Sequence, residues 1–390
     1  MDITLNESQE KSVESLLGFL LDDSKKYFVL SGGPGYGKST VIKYIQKHLR
    51  KRYEVLCKIM GQQPRWDKYV FTATTNSAAD SISTVDYPAR TIHSVLGLIV
   101  VDGKLVRKTY VSYTNTVIFV DEYTYIDPAL DRFLDQSAVK VVFIGDKDQL
   151  LAVKGMAQRI RNLEVDAMLL EPMRTCSPDI IEVTRVLREW VRYNPAEELN
   201  IAGMKDVKWM SRQDFIDEIH SAQKDYQDTR IISHTNADAI RWSSLIRESL
   251  GLPKHWVVGE VLTNNKYARH GGINYPTDSE YYVRNVLVDN YGFTLYTIVN
   301  QEGFDHIVYS KHDVNPQVSK SLVLDLRAQY SSTVYKAQGR SFDHVVIDLD
   351  SFTPNTSYSV LTRSLYVGAS RARKSITFVG ELHPTLLEKF

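Results

Sequence analysis

A glycine-rich segment near the start of the chain constrains the fold more than any other feature. Residues 32–40 have the sequence Gly-Gly-Pro-Gly-Tyr-Gly-Lys-Ser-Thr, after the apolar run 27–31 and before the helix-like run 41–45. A strand, a glycine loop and a helix in this order form a phosphate-binding loop, because glycines let backbone N–H groups turn towards phosphate oxygens. We therefore predict a parallel α/β fold around a nucleotide site. A glycine-rich turn that holds no ligand is the alternative.

The ligand predicted for this loop is ATP with Mg²⁺. Lys38 is placed to reach the β and γ phosphates, and Ser39 is placed to ligate the metal ion. Gly35, Gly37 and Thr40 complete the predicted contacts with the phosphates.

Two acidic residues follow the apolar run 117–120. We assign Asp121 to the metal ion and Glu122 to the attacking water, because one carboxylate can hold Mg²⁺ while the other orients or deprotonates the water. A solvated acidic loop is the alternative. The apolar run 141–144 leads into Gly-Asp-Lys-Asp-Gln, where the amide of Gln149 is placed to sense the γ phosphate. By itself this segment is equally compatible with an ordinary turn.

Composition excludes several other classes of protein. The 390 residues include 47 basic and 47 acidic side chains, so a polyanion would have to bind a local basic groove. The two cysteines, Cys57 and Cys176, are too few for a disulfide framework or a structural zinc site. No run approaches the ~18 apolar residues of a membrane span. These features predict a soluble, cytoplasmic, multidomain protein.

Two insertions interrupt the predicted α/β pattern. Strand-like segments at 230–233, 345–347 and 376–379 predict a second α/β domain after residue 175. The range 257–314 is rich in Tyr, Val, Asn and Gly and predicts a small antiparallel β insertion. A hairpin is predicted at about 95–112, because Asp-Gly between β-prone arms is a strong turn signal. Its tip is formed by Val101, Asp102, Gly103 and Lys104.

The motif order along the chain resembles that of superfamily 1 helicases. The series consists of residues 32–40, Asp121-Glu122, 145–149, Met-Arg-Thr at 173–175, Ser-Thr-Val-Tyr-Lys-Ala-Gln-Gly at 332–339 and Tyr-Val-Gly-Ala-Ser-Arg-Ala-Arg at 366–373. Each motif alone has low specificity, but six in this order make a chance match very improbable. The set is most similar to the Dda and RecD branch, superfamily 1B.

This resemblance implies a fold and a set of nucleotide contacts. Two RecA-like domains would span 1–175 and 176–256 with 315–390, and the insertion 257–314 would be SH3-like or barrel-like. Gln9 would contact adenine, Gln149 would couple the γ phosphate to DNA, and Gly339 would lie at the nucleotide. Arg174 and Arg371 would reach the transferring phosphoryl group, because guanidinium groups stabilise the charge that spreads over its oxygens.

The resemblance also implies a path for one nucleic-acid strand. Hydroxyl, amide and imidazole groups at strand ends bind phosphates without distinguishing bases, as a sequence-independent motor requires. Singly, each such residue is also typical of a helix cap or turn. The chain departs from the family at Thr74, where relatives carry proline, and at Tyr335, where they carry histidine. The predicted path consists of Thr75, Asn76, Thr91, His93, His234, Thr235, Asn236, Thr333, Tyr335 and Lys336.

The function implied is ATP-dependent movement along single-stranded DNA, in the 5′ to 3′ direction, with unwinding of forked duplex DNA. The hairpin at 95–112 would be the pin that splits the duplex. Expected partners are single-stranded and forked DNA and replication or recombination proteins, with a monomeric, phage-encoded chain in the host cytoplasm. Two alternatives stay open: an RNA helicase of the viral superfamily 1 type, and a nucleotide-gated scaffold or loading factor that binds DNA without unwinding it.

Overall fold

The computed structural model describes residues 3–102, 104–135, 139–152, 155–193, 197–221, 226, 228–277, 279–290, 292–300, 303–310, 323–381 and 383–386. The chain divides into two compact units, Met1–Cys176 and Ser177–Phe390.

The first unit is built on a parallel sheet. Six strands are hydrogen-bonded in the order β3-β2-β6-β7-β1-β8, and β4 and β5 form a separate antiparallel pair. Every residue of β6 and β7 is buried, which is the pattern of central strands covered on both faces. The strands are β1 (Tyr27–Gly32), β2 (Lys68–Ala73), β3 (Arg90–Thr91), β4 (Leu98–Val101), β5 (Lys104–Arg107), β6 (Thr116–Asp121), β7 (Lys140–Gly145) and β8 (Ala167–Leu169).

Helices cover this sheet through apolar side chains at helical spacing. The helices are α1 (Glu7–Leu21), α2 (Lys38–Ile59), α3 (Asn76–Ile82), α4 (Ile92–Val95), α5 (Pro128–Asp135) and α6 (Gln158–Arg161), with a 3₁₀ turn at Tyr123–Tyr125. A capping box starts α1: Gln9 N donates to Asn6 Oδ1 at 2.9 Å, and Asn6 N donates to Gln9 Oε1 at 3.0 Å. Val13 and Leu16 then anchor the helix in the core.

A buried lysine fixes the other end of α1. The ammonium group of Lys140 donates to the carbonyl oxygens of Phe19, Asp22 and Lys25 at 2.8, 2.6 and 2.7 Å. These carbonyls lie at and beyond the helix C-terminus, where backbone acceptors lack intrahelical partners. Because Lys140 is the first residue of β7, this cluster ties α1 to the central sheet and so positions Gln9 at the other end of the helix.

The second unit has its own parallel sheet, with strands in the order β19-β10-β20-β21-β9. Trp190 of α7 and Trp242 of α9 are fully buried beside it. The strands of this sheet are β9 (Val207–Met210), β10 (Thr229–Ser233), β19 (Ser331–Thr333), β20 (Phe342–Asp348) and β21 (Ala372–Val379). The helices are α7 (Pro178–Arg192), α8 (Arg212–Ser221), α9 (Asn236–Ser249), α10 (Val334–Ala337) and α11 (Tyr358–Ala369), with 3₁₀ turns at Leu349–Ser351 and Pro384–Leu386.

A second, mainly antiparallel sheet follows α9, with strands in the order β17-β16-β15-β14-β11-β18. Tyr275, Tyr281 and Tyr296 are buried in its core, so these aromatic rings serve packing. The sheet continues past residue 314 into β17 and β18; residues 311–314 lie outside the described part. Its strands, with the separate pair β12 and β13, are β11 (Val261–Asn264), β12 (Ala268–His270), β13 (Ile273–Tyr275), β14 (Glu280–Val288), β15 (Thr294–Val299), β16 (Asp305–Ser310), β17 (Val323–Leu324) and β18 (Leu326–Ala328).

These sheets confirm the predicted α/β class with two parallel sheets. At the predicted hairpin, Leu98 to Val101 pair antiparallel with Lys104 to Arg107, and Asp102 has a left-handed φ of 48°. Gly103 lies outside the described residues, and the action of the hairpin as a pin stays a prediction. Within the ranges given above, no helix is both long and apolar enough to cross a membrane.

Candidate active site

Three neighbouring strands of the first unit bring the predicted catalytic segments to one edge of the sheet. Ser31 of β1 pairs with Gly145 of β7, and Asp121 of β6 pairs with Ile144 of β7. The carboxyl ends of these strands therefore carry the glycine loop, the acidic pair and the segment that ends in Gln149. Ligands of open parallel sheets bind outside this end of the strands.

Two positions of the loop require glycine, both because of their backbone conformation and because neighbouring side chains leave no room for a Cβ atom. Gly35 and Gly37 have φ values of 82° and 81°, which side chains rarely adopt. A Cβ atom on Gly37 would lie 2.3 Å from Gln9 Nε2, and one on Gly35 would lie 2.6 Å from Arg174 Cβ. Met173 N also donates to Gly35 O at 2.7 Å. The fold thus places Gln9 and Arg174 against the loop, although they lie 165 positions apart in the sequence.

The loop lysine is held at the mouth of the site. Lys38 Nζ donates to the carbonyl oxygens of Gly32 and Gly33 at 2.8 and 3.0 Å. It thereby stays next to the backbone N–H groups that would face phosphates. Ser39 and Thr40 follow in the first turn of α2 and are exposed. Their hydroxyl groups are accessible to a metal ion and to phosphate oxygens.

Both acidic residues are buried, and the backbone of Glu122 is strained. Burial, with the nearby charge of Glu122, raises the pKa of Asp121 to about 7, and Lys38 acts in the opposite direction. Glu122 has φ 53° and ψ 45°, a left-handed conformation that costs of order 1–3 kcal/mol in a residue other than glycine. Two hydrogen bonds hold it: Glu122 N donates to Asp121 Oδ1 at 3.0 Å, and Thr74 Oγ1 donates to Glu122 O at 3.1 Å. Strain maintained in this way is typical of functional positions.

The Gln149 segment is a turn whose polar groups face inwards. Gln149 N donates to Asp146 O at 3.0 Å, and Asp148 N donates to Asp146 Oδ1 at 3.1 Å. Gln149 is only 1% exposed. The sequence was compatible with a turn or a sensor at this point, and the geometry shows a turn that carries a buried amide.

The amide of Gln9 has an unsatisfied donor beside the loop. Gln9 is 2% exposed, and its Oε1 is occupied by the capping box, whereas Nε2 has no hydrogen-bond partner in the described part of the chain. A buried donor without a partner costs about 1–3 kcal/mol, which a ligand acceptor would recover. The ring nitrogens of adenine are acceptors of this kind, so the residues present fit a bound adenine nucleotide.

Arg371 belongs to the second unit, where it is 2% exposed. Its guanidinium donates to Val367 O at 3.0 Å, to Ser370 Oγ at 2.9 Å and to Arg340 O at 3.4 Å. Gly339, with φ 80°, lies in the turn between α10 and β20. The role of Arg371 as an arginine finger stays a prediction.

All four threonines of the predicted strand path are helix N-caps. Their Oγ1 atoms accept from the backbone N–H three residues later, at distances of 3.1–3.4 Å. The capping alternative is therefore observed at each position. A capping threonine can still donate its hydroxyl proton to a phosphate. At Thr235 this proton is already donated to the carboxylate of Asp238. The residues are Thr75, Thr91, Thr235 and Thr333.

The register of the strands brings the capping threonines of each unit to the same edge of its sheet. Ala73 pairs with Thr91 in the first sheet, which brings the segments of Thr75, Asn76 and His93 to one edge. In the second sheet, Ser233 pairs with Thr333. This register places the segment that begins at His234 next to the one that begins at Thr333.

The other path residues differ in exposure. Asn236 and Tyr335 are exposed, and Lys336 Nζ donates to Asn265 Oδ1 at 2.8 Å. Burial lowers the pKa of His93 and of His234, so both rings favour the neutral form. Neutral imidazole can accept or donate one hydrogen bond without adding charge.

Several residues that shape the site were not identified as such from the sequence. Thr74 was noted as a departure from the family, but its bond to the backbone of Glu122 is visible only in the fold. Asn6 was detectable, because an N-cap residue followed three positions later by Gln is a capping-box signature.

Comparisons with known proteins find similarity in both units of the chain. A family model described as an AAA domain matches residues 21–154, and one described as a UvrD-like helicase C-terminal domain matches residues 329–379. Among solved structures, the Pif1 helicase from Bacteroides in complex with ADP-AlF3 and single-stranded DNA superposes with a TM-score of 0.57 at 18% identity, covering 97% of this chain and 92% of that one.

Two further structures are similar. The Pif1 structure described for DNA unwinding at forked double-stranded DNA has a TM-score of 0.57 at 18% identity, with 96% and 92% of the two chains covered. The Pif1 helicase from Candida albicans has a TM-score of 0.51 at 16% identity, with 99% and 98% covered. At these identities the likeness establishes a shared fold.

Proposed function

We propose that this chain, a superfamily 1B helicase whose fold is shared with the Pif1 proteins, hydrolyses ATP to move along single-stranded DNA and to unwind duplex DNA. The observation that carries the proposal is the set of contacts around the glycine loop. Gly37 lies against the unsatisfied amide of Gln9, and Gly35 lies against Arg174. A turn without a ligand would not require a buried donor to remain unpaired at this place.

Each residue around the loop would have a separate role in phosphoryl transfer. Lys38 and Arg174 would neutralise charge on the phosphate oxygens, and Glu122 would orient or deprotonate the water. Mg²⁺, held by Ser39 and Asp121, would neutralise phosphate charge and lower the pKa of Asp121. Arg371 would supply a second guanidinium, as the resemblance to the family implies.

We propose DNA as the nucleic acid that this chain binds. One similar Pif1 structure is a complex with single-stranded DNA, and another is described for DNA unwinding at forked double-stranded DNA. The strand ends of both units carry neutral hydroxyl, amide and imidazole groups that suit phosphate contacts without base recognition. Movement from 5′ to 3′ is part of the proposal, on the resemblance to the Dda and RecD branch.

ATP turnover by the purified chain tests this proposal directly. The rate is compared without nucleic acid, with single-stranded DNA and with single-stranded RNA of matched length. We expect strong stimulation by DNA alone, followed by unwinding of forks with a 5′ tail in preference to a 3′ tail. Stimulation by RNA alone would favour the viral RNA helicase alternative. Lack of stimulation by either would favour a scaffold.

The β4–β5 hairpin is the candidate pin. Val100 and Val101 are 67% and 45% exposed, an apolar surface that water does not favour. Gly97 closes the base: its carbonyl accepts from Lys108 N at 2.8 Å, and a Cβ atom on it would lie 2.3 Å from Thr109 O. The arms are thus held together at a point remote from the tip.

Deletion of residues 101–104 is expected to abolish strand separation while leaving DNA-stimulated ATP turnover within about twofold of wild type. The tip is lost together with the exposed Val101, whereas the base at Gly97 and the nucleotide site are retained. Val100→Ser with Val101→Ser keeps the hairpin backbone and should lose unwinding as well. Fork unwinding and ATP turnover are measured side by side. Equal loss of both activities would count against a pin.

A further inference from the structure

The second unit contains a cavity of about 570 Å³ to which the proposed function assigns no ligand. Residues of α9, β18 and β19 line it, together with the segment 252–256. Its volume lies in the range of about 300–1,000 Å³ that is typical of small-molecule sites. We call it the Arg230 cavity; Arg230, Ala239, Trp256, Leu326, Ser332 and Lys336 are among its lining residues.

Arg230 is an unusual residue to find in such a wall. It is 5% exposed, and its Nε and Nη1 atoms have no hydrogen-bond partner among the residues described. The guanidinium carbon lies 4.6 Å from the centre of the Phe342 ring. Burial, with a smaller effect from Arg340, lowers the pKa of Arg230 to about 9. A buried cation without hydrogen bonds is costly, and a bound anion would offset that cost.

Two acidic side chains near Arg230, Glu280 and Glu260, are already engaged with other cations. Glu280 Oε1 accepts from Arg340 Nη1 at 2.6 Å, and Glu260 pairs with Arg247. Ser332 Oγ is a second buried polar atom of the wall with no partner in the described ranges. Basic lining residues outnumber acidic ones six to one, the acid being the exposed Glu248. The six are Arg230, Arg247, Lys254, Arg327, Lys336 and Arg340.

The remaining lining suggests what the anion is attached to. Ala239, Leu252, Trp256 and Leu326 provide apolar walls, so a bare inorganic ion would leave most of the cavity unfilled. Thr333 and Lys336, which belong to the proposed strand path, also line it. The cavity therefore reaches from the strand path to Arg230.

We propose that the Arg230 cavity is a second nucleotide site, in which Arg230 and Ser332 bind a phosphate group and the apolar walls hold a base. The inference rests on the proposed function only for the source of the nucleotide. A nucleotide of the tracked strand and a free nucleoside monophosphate share the same chemistry, and experiment distinguishes them.

Calorimetric titration of the Lys38→Ala chain with AMP and with thymidine 5′-monophosphate tests for a free ligand, because this variant weakens the glycine-loop site. Anisotropy with a labelled oligothymidylate tests for a strand nucleotide. Arg230→Met is expected to weaken one of these affinities by about 10- to 100-fold, the effect of losing charge-assisted hydrogen bonds. Because it removes an unpaired buried charge, it should not lower the melting temperature.

Matched variants separate this site from general effects. Arg241→Met removes an exposed arginine of α9 that pairs with Asp238 and should change neither affinity. Ser332→Ala should weaken the same affinity as Arg230→Met, and it serves as the test if Arg230→Met does not fold. Unchanged affinities for the mononucleotides and for the oligomer in these variants would overturn the proposal. Failure of the proposed function would instead appear as wild-type ATP turnover that DNA does not stimulate.

Discussion

Glu122→Gln is expected to lower ATP turnover by about 10²- to 10⁴-fold while ATP binding stays near that of wild type. The amide has the size of the carboxylate but cannot accept a proton from water. The contacts that hold the strained backbone of Glu122, from Asp121 Oδ1 and Thr74 Oγ1, involve main-chain atoms and are kept. Loss of the negative charge also removes one of the two causes that raise the pKa of Asp121.

Single-turnover hydrolysis and equilibrium binding of a fluorescent ATP analogue measure the two quantities separately. Glu164→Gln, which changes an exposed glutamate of the same unit, is the matched control and should hydrolyse ATP normally. Normal hydrolysis by Glu122→Gln would show that another group activates the water. Loss of binding together with hydrolysis would show that Glu122 supports the structure of the loop.

Arg371→Lys is expected to lower DNA-stimulated ATP turnover by about 10³-fold or more, the effect typical of an arginine finger. Lysine keeps the charge but lacks the planar fork of donors that stabilises a transferring phosphoryl group. Arg373→Lys, two residues away, is the matched control. Arg373 has an exposed side chain 3.7 Å from Asp343 Oδ1, and surface pairs of this kind contribute at most about 1 kcal/mol.

The buried position of Arg371 makes a structural explanation testable. Its guanidinium binds Val367 O, Ser370 Oγ and Arg340 O, and lysine would keep only part of this set. Thermal unfolding is therefore measured alongside turnover. A catalytic role requires turnover to fall while the melting temperature and the affinity for DNA stay close to wild type. A parallel fall in the melting temperature and in turnover would assign Arg371 to the stability of the second unit.

Local patterns were sufficient to predict the elements that carry the chemistry. The runs 117–120 and 141–144 are apolar throughout, which predicts buried parallel strands, and both are central in the observed sheet. The glycine loop between a strand and a helix follows from residues 27–45 alone. The Asp-Gly pair at 102–103 predicted a turn between two strands, and the strands on either side pair antiparallel. In each case the signal lies within a few residues of the element.

The function of residues that can either cap a helix or bind a phosphate was harder to predict. Each threonine of the proposed strand path caps a helix, as one of the two sequence interpretations expected. A hydroxyl at the end of a parallel strand is suited both to capping the next helix and to binding a phosphate, because both partners occupy the same edge of the sheet. Sequence spacing alone does not separate these uses.

The sequence by itself determined the fold class, the order of the motifs and the residue types at the nucleotide site, because hydrophobic periodicity and turn chemistry act over short distances. Only the tertiary structure decided which distant residues meet. It placed Gln9 and Arg174 against the glycine loop and gave Lys140 three carbonyl partners around the end of α1. It also left Nε and Nη1 of the buried Arg230 without a hydrogen-bond partner in the described part of the chain. Such contacts depend on how whole elements pack, and that packing sums many small interactions that no single segment of the chain encodes.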